Sequence, residues 1–150
     1  MAPMRILALP LMLALALSGG DDKPKRPKLT VKASPAMAIS PARVVASADL
    51  TGGPDDFEEF YCVGVEWDWG DDTRSNNSAD CEPYEPGKSQ IKRRFTAEHV
   101  YRTAGDYRIQ FRLKKQSKSL AAATTSVKVR PGIGDSGGGA FADAAAPKGR

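Results

Sequence analysis

Asp106-Tyr107-Arg108-Ile109-Gln110-Phe111-Arg112-Leu113 is the stretch whose pattern decides the fold. Tyr107, Ile109, Phe111 and Leu113 alternate with Asp106, Arg108, Gln110 and Arg112. A period of two puts the apolar set on one side of an extended chain and the charged set on the other, which describes a half-buried strand. Upstream, Val63, Val65, Trp67 and Trp69 form a second such face, with Gly64, Glu66 and Asp68 opposite. Downstream, Thr125, Val127 and Val129 alternate with Ser126, Lys128 and Arg130. Val44, Ala46, Ala48 and Leu50 make a weaker face, Leu29, Val31 and Ala33 open the folded part, and residues 91–95 read as one more short strand. Turn-forming residues separate the runs: Ser34-Pro35, Ser40-Pro41, Gly52-Gly53-Pro54, Gly70-Asp71-Asp72 and Ala104-Gly105. Nowhere between residues 29 and 130 is a helical period sustained, so a parallel sheet with crossover helices is excluded. Short strands with one apolar face each predict an all-β, antiparallel two-sheet sandwich.

The ends are of different composition. Arg5 precedes an apolar run over residues 6–17, and Ala16-Leu17-Ser18 offers small residues at the −3 and −1 positions of a cleavage site. Residues 1–18 therefore read as a secretory signal peptide. The run is shorter than the about 20 apolar residues that span a bilayer, so no transmembrane anchor is expected once the signal is cleaved. Residues 19–28 hold no large apolar side chain and read as a flexible leader, and residues 131–150, rich in Gly and Ala, as a disordered tail. The formal net charge of +4 becomes +3 when Arg5 leaves with the signal, a mild excess that permits attraction to acidic glycans or envelope surfaces. Nucleic acid is not an expected partner of an exported chain. Cys62 and Cys81 are the two cysteines, and an even count in an oxidising compartment favours a disulfide between them. The competing arrangement, a zinc site with His99, lacks the short paired spacing of such sites. Neither a metal nor a cofactor is expected.

Trp67-Asp68-Trp69-Gly70-Asp71-Asp72 resembles the central W-D-F-G-D-G motif of the polycystic kidney disease (PKD) domain family. His99-Val100-Tyr101 and Ala104-Gly105-Asp106-Tyr107-Arg108-Ile109-Gln110-Phe111 resemble that family's H-x-Y and P-G-x-Y-x-V-x-L elements, and residues 124–129 its closing T-x-x-V-x-V. The resemblance covers residues 29–130 and implies an immunoglobulin-like sandwich of about seven strands. Asp72 stands where the family has glycine, Ala104 where it has proline, and residues 73–90, with Cys81, are longer than the family leads one to expect.

The motif residues have structural and functional readings side by side. Trp67 is expected in the core, as the tryptophan of this fold class often is, the alternative being an exposed platform for a sugar. Tyr107 matches the tyrosine-corner position, whose phenol ties a loop to the backbone. Asp68, Asp71 and His99 suit a polar network around the Gly70 turn, with His99 donating to a carboxylate; Tyr101 and Gly105 complete the motif. Catalysis would need an activated nucleophile beside His99, and no Gly-x-Ser-x-Gly element is present, so the chain does not read as an enzyme. Asp55, Asp56, Glu58 and Glu59 form an acidic loop without calcium-site spacing, solvated or cation-binding. Arg93, Arg94, Arg108 and Arg112, with Lys92, Lys114, Lys115 and Lys118, suggest a basic outer surface, either for docking or for keeping strand edges apart. The PKD resemblance implies a module that contacts an envelope protein or polysaccharide; the alternative is an extracellular spacer with no ligand.

Overall fold

The computed structural model describes residues 23–133. Apolar residues at alternate positions build most of eight strands: β1 (Lys28–Ser34), β2 (Met37–Ile39), β3 (Ala42–Thr51), β4 (Gly64–Asp68), β5 (Arg74–Asn77), β6 (Arg94–Tyr101), β7 (Gly105–Lys115) and β8 (Lys118–Arg130). One turn of 3-10 helix, Glu58–Phe60, lies between β3 and β4. The strands form two sheets, in the orders β1-β3-β6 and β2-β8-β7-β4-β5. Val44, Ala46 and Ala48 of β3 and Ile109, Phe111 and Leu113 of β7 have no exposed surface at all, so the two alternating faces meet in one core. No described helix is long and apolar enough to cross a membrane.

With β1, β3 and β6 as strands A, B and E, and β4, β7 and β8 as C, F and G, the layout is immunoglobulin-like. The eight strands among the described residues fit a sandwich of about seven, and one feature departs from the antiparallel expectation: β2 runs parallel to β8, pairing Met37 with Lys128 and Ile39 with Arg130. Pro35 and Pro41 account for this: neither can donate to a ladder, so the first strand breaks and residues 37–39 cross to the other sheet. The Lys128 N–H then bonds the Ala36 carbonyl and the Ser40 N–H the Arg130 carbonyl, both at 2.9 Å.

The strand expected at 91–95 is displaced. Ile91 donates to the Asp55 carbonyl at 2.8 Å, outside any ladder, and the strand proper begins at Arg94 and runs through His99 to Tyr101. The folded part is also wider than residues 29–130. Lys28 opens β1, Pro27 is buried, and Arg26 pairs with Glu59 at 2.9 Å and donates to the Leu120 carbonyl at 2.6 Å. The end of the expected leader is held because a guanidinium finds fixed acceptors and a proline ring packs against Gly53. At the other end Gly132 is buried and its N–H donates to Ser40 Oγ at 3.1 Å. The expected signal at 1–18, the start of the leader and the tail beyond residue 133 lie outside the described residues.

Candidate functional site

The residues of the W-D-x-G-D motif make the turn from β4 to β5. Gly70 sits at φ +78, and a Cβ there would lie 2.7 Å from the Arg108 carbonyl oxygen, so both the backbone conformation and the space call for glycine. Asp68 Oδ1 accepts the Gly70 N–H at 3.1 Å and its Oδ2 accepts Arg74 Nε at 3.0 Å. Asp71 Oδ1 accepts both the backbone N–H and the hydroxyl of Thr73. Asp72, where the motif it resembles has glycine, keeps the left-handed conformation at φ 66, which aspartate tolerates better than most residues.

From this turn two polar ties cross to the other sheet. Asp71 Oδ2 lies 2.6 Å from Nε2 of His99 on β6, and Oη of Tyr101, two residues further, donates to the Trp69 carbonyl at 2.8 Å. Burial alone would raise the Asp71 carboxyl. The Thr73 hydroxyl and His99 outweigh it and hold the group below its usual value, so it is an ionised acceptor and His99 Nε2 the donor. Burial, and then the Asp71 charge, push the Tyr101 phenol up, which keeps it a neutral donor. The rings stack in sequence: Trp67 on Trp69 at 5.7 Å, Trp69 on His99 at 4.7 Å, Tyr101 on Tyr107 at 4.1 Å. Trp67 also packs on Phe111 at 4.4 Å and is 3% exposed, a core position rather than a platform. Tyr107 Oη donates to the Thr103 carbonyl at 2.8 Å, and its ring lies over Gly105, where a Cβ would approach to 3.1 Å. Together the motif residues hold the two sheets at one end of the sandwich.

Cys62 and Cys81 are joined in a disulfide with Cα atoms 6.0 Å apart. It fastens the segment after β5 to the loop just before β4. Tyr61 and Tyr84 pin the same segment, donating to the Glu82 and Asp56 carbonyls at 2.8 and 2.6 Å. The acidic loop is engaged internally: Asp55 pairs with Arg93 at 2.6 Å, Asp56 accepts the Gly87 N–H at 3.2 Å, and Glu59 pairs with Arg26. Among the described residues no group of three or more His, Cys, Asp or Glu side chains is placed to hold a metal ion.

The basic residues do not share one surface, because β6 and β7 lie in different sheets whose outer faces point apart. Arg93 is a clamp: it donates to the carbonyls of Leu50, Gly52 and Gly53 at 3.3, 3.0 and 3.1 Å besides pairing with Asp55. Arg94 pairs with Asp49 at 2.6 Å across the three-stranded sheet. Arg108 and Arg112 stand on the outer face of the five-stranded sheet. Arg112 donates to Glu66 Oε1 at 2.6 Å and contacts Gln110, while Lys114 donates to Glu66 Oε2 at 3.0 Å. Those bonds, from Lys114 first and then Arg112, hold the Glu66 carboxyl below its usual value. Arg108 has no carboxylate partner among the described residues; it reaches Thr124 Oγ1 at 3.4 Å.

Between β5 and β6, at the open side of the sandwich, lies a cleft of about 440 Å³ with Val65, Trp67, Phe95 and Ala97 on its apolar side and Asn77 and Lys92 among its polar lining. β5 is polar throughout, so no alternation marks it as a strand and nothing in the sequence marks its edge as a cleft wall.

No family model and no curated protein matches the chain. Among solved structures it is similar to the PKD domain of an M14-like peptidase from a Thermoplasmatales archaeon, with 13% identity and a TM-score of 0.47, over 71% of this chain and 98% of that one. It is also similar to the CARDB domain of a Pyrococcus furiosus protein. The crystal structure of that domain gives 16% identity and a TM-score of 0.40 over 69% of this chain and 94% of that one. The solution structure gives 18% identity and a TM-score of 0.40 over 70% and 96%.

Proposed function

We propose that the chain is a non-catalytic interaction module that acts outside the cytoplasm and contacts an anionic partner, an acidic polysaccharide or envelope protein, through the outer face of its five-stranded sheet. The observation that carries this reading is the charge on that face. Arg112 and Lys114 share the single carboxylate of Glu66, and Arg108 lacks one among the described residues. An uncompensated positive field on rigid strands attracts polyanions with a strength that falls as salt rises. The disulfide and the expected signal peptide support an oxidising compartment.

The test is a titration with polygalacturonate and heparin, with neutral dextran as control. Binding that weakens with salt, drops roughly tenfold in Arg108→Glu and is unchanged in Arg43→Glu, on the opposite sheet, is the expected result. Binding that survives reversal of both Arg108 and Arg112 removes the face from consideration. No binding to either polyanion at low salt removes the reading itself.

A further inference from the structure

We propose that the outer edge of β6 is a self-association surface, through which two copies of this chain pair antiparallel about Thr96. This goes beyond the anionic partner above and uses the other sheet. The first observation is how the sheet edges are guarded. Native sheets blunt their edges with short strands, prolines, lysines, bulges or inward-pointing charges. β2 has three residues between Pro35 and Pro41, β5 has four polar residues, and β1 carries Lys28 and Lys32. β6 has eight residues without proline, and its register with β3 runs unbroken from Arg94 to Tyr101. Its inward positions are Phe95, Ala97, His99 and Tyr101, none an acid, lysine or arginine. Among the described residues no strand pairs with its far edge, which opens onto the cleft beside β5. A long edge without proline, lysine, bulge or inward-pointing charge, whose outward charges are of both signs, is a template for another strand.

The second observation selects the occupant. In an antiparallel pair, opposed residues share a face, so a two-fold axis across β6 must pass through a residue. Centred on Glu98, the pairing sets Glu98 against its own copy. Centred on Ala97, it sets Arg94 against Val100. Centred on Thr96, it sets Arg94 of each copy against Glu98 of the other, Thr96 against Thr96, and Phe95 against the small Ala97. Opposite charges and threonine pairs are the favourable cross-strand combinations, and like charges the unfavourable ones. Each copy already pairs Arg94 with Asp49 and Glu98 with Arg43 on this same outer face. The Thr96-centred dimer therefore continues one row of alternating charge: Asp49, Arg94, then Glu98 and Arg43 of the second copy. A self-complementary patch of this kind is what a two-fold interface requires.

Sedimentation equilibrium of the purified chain tests this. The wild-type chain should show a monomer–dimer equilibrium with a Kd on the order of 100 µM or tighter, a weak but specific contact. Arg94→Glu and Glu98→Arg should each weaken it about tenfold or more, because both symmetric pairs then become like-charged. Mixed together, the two variants should form a heterodimer of roughly wild-type strength, since glutamate at 94 meets arginine at 98 and the reverse. That restoration separates lost contact from lost folding. A wild-type chain that stays monomeric up to about 1 mM, a dimer indifferent to both substitutions, or a mixture that does not restore association would each overturn the proposal.

Discussion

Tyr101→Phe isolates the tie between the two sheets. The substitution removes one oxygen from a ring that is 1% exposed and leaves a phenyl group of nearly the same shape, so it opens no cavity a methyl group could fill. What is lost is the 2.8 Å bond from Oη to the Trp69 carbonyl, and that carbonyl keeps its place in the interior without its donor. A made bond contributes about 1 kcal/mol net, and a buried group left unpaired costs about 1–3 kcal/mol. The expected loss is therefore about 1–3 kcal/mol, read as a lower urea midpoint with an unchanged slope. For a domain of this size each kcal/mol corresponds to a drop of about 4–8 °C in Tm. A variant within about 0.5 kcal/mol of wild type, the range of ordinary surface substitutions, would refute the claim that this hydroxyl fastens one sheet to the other.

Further expectations concern the same turn and its surroundings. Because the folded Asp71 carboxyl is held low, the stability it contributes is fully present above its unfolded value of about 3.9 and is lost as pH falls through the lower folded value. Urea midpoints of wild type and Asp71→Asn should thus differ at pH 5 to 6 and draw together as pH falls through the lowered folded value; a gap unchanged by acid would contradict it. Asp72→Gly, at φ 66, should raise stability by about 0.5–1 kcal/mol, and a destabilised variant would show that the aspartate does more than tolerate its backbone. Cys62→Ser/Cys81→Ser frees a loop with a sequence separation of 19, which the chain-entropy model puts at about 3 kcal/mol. An unchanged midpoint in the double variant would mean that the tyrosine contacts alone hold residues 78–90.

The parts of the fold written in apolar alternation were legible. β7, β4 and the C-terminal part of β8 follow their patterns, and the β3 face of Val44, Ala46, Ala48 and Leu50, weak by composition, is among the most deeply buried. β6 was legible only in part, because its inward row of Phe95, Ala97, His99 and Tyr101 mixes a small and a polar residue into the apolar set. β5 gave no periodic signal, since Arg74, Ser75, Asn76 and Asn77 are all exposed and hold their place through β4. That His99 meets a carboxylate of the Gly70 turn followed from residue chemistry; that it is Asp71 and not Asp68 did not. The division of the basic residues did not, because it depends on which strand enters which sheet, and periodicity says nothing of that. Arg93 looks like any surface arginine until the chain closes and three carbonyls from residues 50–53 converge on it.

Ile109 stands two residues after Tyr107, at the position where antibody domains carry the second cysteine of their inter-sheet bridge, and it is fully buried. The covalent bond here has moved outward, to a cover segment beside the cleft. Assembly of the layers and oxidation of the thiols are thereby uncoupled. The sandwich can close around an aliphatic centre before any oxidant arrives, and a reducing episode would loosen the cover while leaving the interior between the two sheets intact.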